Sequence, residues 1–201
     1  MDKSADTKYP IETLLQKRWS PRAFSDRMVE PSKLHSLLEA ARWAPSSYNE
    51  QPWSFIIATK ENQAEYDRLL SCLVEANQAW AQQAPVLMLS VAKHHFERNG
   101  KENRHAFHDV GSSVENLTIQ GMALDIFVHQ MAGFDIAKAR ELFSIPEGYE
   151  PVAAIALGYL GDPQTLSEQL RERELAQSDR KPLEAFVFTG SWGQTSPLLN
   201  S

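Results

Sequence analysis

The sequence predicts an α/β or α+β fold, with one central sheet covered by helices on both faces. Short apolar runs at 53–59, 85–92, 126–131 and 151–157 have strand length, and stretches of helical period separate them. With 201 residues and a 42% hydrophobic share, the chain reads as a single domain spanning 1–201 with one sizeable core.

Each element has its own signal. In 10–18 (PIETLLQKR), Ile11, Leu14 and Leu15 recur at helical spacing behind a Pro suited to a first turn. A polar, Pro-broken connector follows at 19–29, and then 31–44 (PSKLHSLLEAARWA) sets Leu34, Leu37, Leu38 and Ala41 on one helical face, ended by Pro45. Trp53–Thr59 is a buried strand. Residues 61–83 read as one long helix carrying Leu69, Leu70, Leu73 and Trp80, with Cys72 in its middle. Pro85–Ala92 is a second strand, and the polar 94–108 stretch (HHFERNGKENRHAFH) is expected to be a mobile loop. A helix face over about 109–124 uses Val110, Val114, Leu117, Gly121 and Leu124, whose small members allow close packing. A strand at 126–131, a short helix at 135–143 and a strand at 151–157 follow. A charged helix and an extended aromatic tail complete 162–201. In that tail Phe186, Phe188 and Trp192 have little nearby to bury them, so it is expected to dock on its own sheet or on a partner's.

Composition narrows the function. Twenty Lys and Arg against 26 Asp and Glu give a net charge of −6, which argues against a non-specific nucleic-acid binder and against an anionic membrane surface. The single cysteine, Cys72, cannot form an internal disulfide. No apolar run approaches the roughly 18 residues of a membrane span, and the polar first ten residues lack a signal core, so the expected location is cytoplasmic.

Three stretches offer chemistry. In "KRWSPRAFSD", 17–26, Arg18, Ser20 and Arg22 alternate and in an extended segment project to one side, where two guanidinium forks and a hydroxyl suit a phosphate. Taken alone, that pattern also fits a solvated basic turn. The connector "APSSYNEQPWSF", 44–55, carries Ser46, Ser47, Asn49 and Gln51 between the stiffening Pro45 and Pro52. Turn capping explains one or two of these polar residues, not all. The third stretch holds His94, His95, His105 and His108 beside Asp109, but its spacing matches no zinc signature, and no metal site is expected. There is no G-x-S-x-G, P-loop or G-x-G-x-x-G, so a nucleotide cofactor would be held by side chains, with Arg180 and Lys181 near the tail as helpers.

Taken together these stretches resemble the nitroreductase family of flavin enzymes. The resemblance rests on R-x-S-x-R at Arg18–Arg22, P-S-x-x-N-x-Q-P-W from Pro45 to Trp53, "HDVGSSVENLTIQGMALDI" at 108–126, "MAGFD" at 131–135, and the pair "GYLGDP" at 158–163 and "RKPLEAFVFTGSWG" at 180–193. It implies an α+β fold with a central, mostly antiparallel or mixed sheet. It also implies a homodimer with FMN at the interface and a tail from about 180–201 reaching the partner subunit. Carried over, Arg18 and Ser20 hold the FMN phosphate with Arg180 and Lys181, and Trp19 lies beside it. Arg22 sits near the pyrimidine edge, where a cation raises the flavin potential. Pro45, Ser46, Ser47, Asn49 and Gln51 line the flavin, often from across the interface. Met131, Ala132 and Gly133 form the segment at the ring's N5 edge.

The implied activity is hydride transfer from NADH or NADPH through flavin N5 to a flat small-molecule acceptor such as a nitroaromatic or quinone, by a ping-pong cycle. The chemistry belongs to the flavin, and no catalytic side chain is assigned. Within the same fold, a dehalogenase, a ring oxidase or a non-catalytic flavin binder are the alternatives. Two positions depart from the family pattern. Trp19 replaces a basic or small polar residue, and "FVHQMAGFD" lacks a Gly-rich run.

Overall fold

The computed structural model describes residues 3–200. Helices α1 (Thr13–Lys17) and α2 (Pro31–Arg42) come first, the second opened by a Pro whose fixed φ suits a helix start. Then follow strand β1 (Trp53–Thr59), helices α3 (Gln63–Leu70) and α4 (Glu75–Ala81), and strand β2 (Val86–Lys93). Helix α5 (Ala106–Ala123), strand β3 (Phe127–Met131), helix α6 (Ile136–Leu142), strand β4 (Tyr149–Gly158) and helix α7 (Glu168–Leu175) complete the order.

The sheet runs β1-β2-β4-β3 and every pairing in it is antiparallel, with no parallel strand mixed in. Both faces are covered, as the alternation along β2 requires. Leu87 and Leu89 join Ala154 and Ala156 under Tyr66, Leu69, Trp80 and Ala139 of α3, α4 and α6. Val86 and Met88 join Ile155 and Leu157 under Leu37 and Ala41 of α2 and Val110, Val114 and Leu117 of α5. Helices α2 and α5 are also pinned by polar ties: Ser113 Oγ donates to the Ala41 carbonyl at 3.0 Å, and Asn116 Nδ2 to that of Ala40 at 3.2 Å.

Two elements differ from expectation. The stretch 61–83 is two helices, because residues 72–74 leave the helical ladder to bond the segment after β3. Asp135 N–H donates to the Cys72 carbonyl at 2.7 Å, Val74 N–H to the Gly133 carbonyl at 3.1 Å, and Leu73 bridges Phe134. Cys72 is therefore a buried residue of this crossing rather than mid-helix. The 94–108 stretch is largely a tied hairpin, not a mobile loop. His95 bridges Glu102, Asn103 N–H donates to the His94 carbonyl at 2.6 Å, and Gly100 at φ 67° makes its turn. Its last three residues already belong to α5.

The tail makes its own turn, with Phe188 bridging Thr195 and packed 5.2 Å from Trp192. Trp192 stays 93% exposed. Among the described residues no helix is long and apolar enough to cross a membrane.

The N-terminal connector is fastened to the end of β4. Ser25 N–H donates to the Tyr159 carbonyl and Gly161 N–H to that of Ala23, both at 2.9 Å. A Cβ on Gly161 would lie 2.4 Å from the Phe24 carbonyl carbon and oxygen, a backbone clash with nowhere to relax. Gly161→Ala is therefore expected to cost roughly 2 kcal/mol and lower Tm by about 4–8 °C, read by thermal melting. An unchanged Tm would mean this seam is looser than its geometry.

Candidate functional site

The connector fastened by Gly161 carries Arg18, Trp19, Ser20 and Arg22 into a cavity of about 270 Å³. Lys3, His129, Arg173, Gln177, Ser178 and Arg180 also face it. The sequence-predicted Arg18, Ser20, Arg22 and Arg180 are thus brought together across most of the chain. Lys181, the next residue, is exposed and is not part of this lining. Among the described residues, none of Arg18, Arg22, Arg173 and Arg180 has a carboxylate at salt-bridge distance. Unpaired guanidiniums around a recess with a hydroxyl attract and orient a polyanion.

Lys3, His129, Arg173, Gln177 and Ser178 line this cavity without having been singled out in the sequence, and of the residues that shape it Glu174 and His129 have the clearest structural roles. Glu174 on α7 is 1% exposed, and its carboxylate accepts the backbone N–H groups of Arg22 at 2.8 Å and Ala23 at 3.1 Å. It ties the arginine connector to the segment that supplies Arg173 and Arg180. Lys3 Nζ donates to the Glu174 carbonyl at 2.5 Å and lies 4.4 Å from the centre of the Trp19 ring. Trp19 is buried edge-on to Phe127, so it packs as a wall.

The other is His129 on β3. Its Nδ1 lies 2.8 Å from the Pro21 carbonyl, which can only accept, so Nδ1 carries the proton. The ring packs 4.5 Å from that of Trp80. Burial pushes the imidazole down to about 4, with the Arg22 charge adding to the effect against the Pro21 hydrogen bond.

The predicted connector 45–51 is elsewhere. It enters β1, one edge of the sheet, whereas His129 and the cavity adjoin β3, the other edge. Three strand spacings, about 14 Å, separate the two edges. Pro45, Ser46, Ser47, Asn49 and Gln51 do not face the cavity, so one chain leaves the predicted binding residues in two halves.

The connector is nonetheless built rigidly. Tyr48, Asn49 and Gln51 hold φ of 55°, 56° and 52°, a region costly for side chains other than Gly and kept only where surroundings enforce it. Ser46 Oγ accepts Gln51 N–H at 3.0 Å, and Asp109, buried in the first turn of α5, accepts Ser47 N–H at 2.9 Å. Asp109 is thus a fastener for this turn. His94 pairs with Glu150, His108 with Asp109, and among the described residues no three potential ligands converge on a metal position.

Met131 ends β3 and Ala132 and Gly133 follow it, with Met131 buried and Ala132 exposed. A Cβ on Gly133 would lie 2.6 Å from Asn77 Nδ2, which donates to the Gly133 carbonyl at 3.0 Å. A side chain at 133 would have to displace the Asn77 amide from this hydrogen bond, so packing against α4 already favours a glycine here.

The depressed imidazole of His129 links stability to pH. Its folded value lies below its unfolded value of 6.5, so between pH 6.5 and about 4 the unfolded chain binds the extra proton. Its contribution is full above pH 6.5 and is lost as pH falls through that window. His129→Gln, which can still donate to Pro21, is expected to reduce the stability loss between pH 7.5 and 4.5 by roughly 2 kcal/mol, measured by urea unfolding. Equal losses in both proteins would show that His129 is not held neutral.

A family model for the nitroreductase family matches residues 15–159. A crystal structure described as an oxidoreductase containing FMN superposes with a TM-score of 0.89 at 33% identity, covering 94% of this chain and 96% of that one. An uncharacterised 15.4 kDa protein of Mycolicibacterium smegmatis is 35% identical over 62% of this chain and 82% of its own length. A protein of Archaeoglobus fulgidus, provisionally named an NADH dehydrogenase/NAD(P)H nitroreductase, is 25% identical over 77% of this chain and 88% of its own length. The sheet, the basic cavity and these matches agree: the chain belongs to the nitroreductase family.

Proposed function

We propose that the protein is an FMN-dependent oxidoreductase that passes electrons from NADH or NADPH to a flat acceptor such as a nitroaromatic or quinone, working as a cytoplasmic homodimer. The observation that carries this reading is the cavity of Arg18, Ser20, Arg22, Arg173 and Arg180, whose guanidiniums lack carboxylate partners among the described residues. Its donor set fits a phosphate monoester, the anionic end of FMN. The FMN named for the structural relative and the NAD(P)H named for the archaeal relative point the same way.

When bound, FMN would supply the two-electron storage that links a nicotinamide donor to the acceptor. The chain contributes binding, orientation and electrostatics. Arg18, Ser20 and Arg180 hold the phosphate, with Trp19 as a side wall and Lys181 adding positive charge from the adjoining tail. Arg22, fixed through its backbone by Glu174, places a cation toward the pyrimidine edge. Met131, Ala132 and Gly133, at the end of the strand that carries His129, border the N5 side.

The turn formed by Pro45, Ser46, Ser47, Asn49 and Gln51 reaches the same flavin from the second subunit. Its position at the opposite sheet edge supports this division, because one chain keeps the two halves apart. The exposed Phe186 and Trp192 supply apolar area for a tail that crosses to the partner.

The test is the visible spectrum of the purified protein under anaerobic NADH and NADPH. Flavin absorbance that bleaches with either nucleotide is expected, and Arg18→Ala with Arg22→Ala is expected to lose its flavin on gel filtration. A wild-type protein that stays colourless after added FMN would overturn the reading.

A further inference from the structure

The hairpin 94–103 is docked on the strained turn at 45–51. Glu97 N–H donates to Glu50 Oε1 at 2.6 Å, and the Phe96 ring meets Tyr48 edge-on at 5.8 Å. Arg98 lies across the result, its guanidinium 4.0 Å from the centre of the Tyr48 ring and 5.3 Å from that of Phe96. Tyr48 is 74% exposed although its backbone sits at φ 55°, so the turn presents an aromatic ring outward. The guanidinium is held there by the rings.

Its charge is uncompensated. The neighbouring Glu97 is taken by Lys93 at 2.6 Å, Glu50 by the Glu97 N–H, and among the described residues no carboxylate lies at salt-bridge distance from Arg98. A guanidinium held over an aromatic ring with no carboxylate partner keeps N–H donors for a planar anion, which it can engage with two parallel hydrogen bonds. The same turn carries Ser46, Ser47, Asn49 and Gln51, the residues placed above at the wall of the flavin pocket. On the function proposed above, Tyr48, Phe96 and Arg98 would form a ledge beside the acceptor.

We propose that Arg98, laid across Tyr48 and Phe96, selects the acceptor, and that the acceptor class is a flat aromatic bearing a carboxylate. The aromatic rings supply stacking area, and the guanidinium supplies the anion contact. Arg98 makes no contact with the flavin in this assignment and takes no part in hydride transfer. The inference rests on the function proposed above.

The test compares the flavin-loaded wild type with Arg98→Ala and Arg98→Lys on 4-nitrobenzoate and on nitrobenzene, with NADH or NADPH as donor. Benzoate, which cannot be reduced, gives a binding readout by calorimetry. Arg98→Ala is expected to raise KM for 4-nitrobenzoate about tenfold with kcat unchanged, and to weaken benzoate binding by a similar factor, the size of one charge-assisted contact. Nitrobenzene kinetics should change less than about twofold. Arg98→Lys keeps the charge without the planar fork and should restore only part of the loss.

Proportional changes on both substrates would overturn the inference, since a purely structural role for Arg98 moves them together. So would a wild type that does not prefer the carboxylate. These outcomes leave the oxidoreductase reading standing. A wild type whose flavin is never reduced by either nucleotide would instead overturn that reading, and the inference with it.

Discussion

One buried carboxylate organises the arginine-lined cavity. Glu174 stands on α7, distant in sequence from the N-terminal connector, yet it grips the N–H groups of Arg22 and Ala23. Burying an ionised carboxylate is costly unless it is well bonded, and the two backbone donors meet that cost while fixing where the connector runs. Arg18, Ser20 and Arg22 then face Arg173 and Arg180 across a shared recess. Holding like charges together opposes folding, and on the function proposed above an entering phosphate would relieve that repulsion and couple binding to stability.

The second half of the predicted site uses strain in place of charge. Three non-glycine residues of one short turn occupy left-handed backbone, and Asp109 and Ser46 hold them there. Backbone kept in such a conformation costs on the order of 1–3 kcal/mol per residue, which the surroundings must supply. What that strain delivers is a fixed orientation for Tyr48 and for the polar side chains around it. The hairpin 94–103 braces the turn from outside through Glu97 and Phe96.

The fold was legible where a local pattern met its usual context. Trp53–Thr59 stands out as an apolar run between prolines and polar residues, and it is β1 to the residue, though not the buried strand expected: it lies at the sheet edge with only Ala58 fully buried. The alternation of Arg18, Ser20 and Arg22 marked the connector that now lines the cavity. The break between α3 and α4 was hidden because Leu69, Leu73 and Trp80 all bury in one core, so the helical period runs on through it. Long-range bonds within the chain, from 72–74 to 133–135, decide that break, and no local pattern records them. Glu174 and His129 were silent for the same reason. A lone Glu in a charged helix and a lone His in a strand acquire meaning only through tertiary partners. Asp109 looked like a possible ligand beside four histidines, but its partner is a backbone N–H of the strained turn.

The central claim is that two chains complete each flavin site, one giving the arginine cavity and the other the turn at 45–51. Co-expression of two differently tagged chains tests it most directly. One carries Arg18→Ala with Arg22→Ala, the other Asn49→Ala with Gln51→Ala. Each variant alone is expected to purify without flavin. If the halves meet in trans, the mixed dimer has one intact site and should bind one FMN per dimer, with absorbance that bleaches under NADH or NADPH. A mixed dimer that binds no FMN would place both halves on one chain and contradict the account.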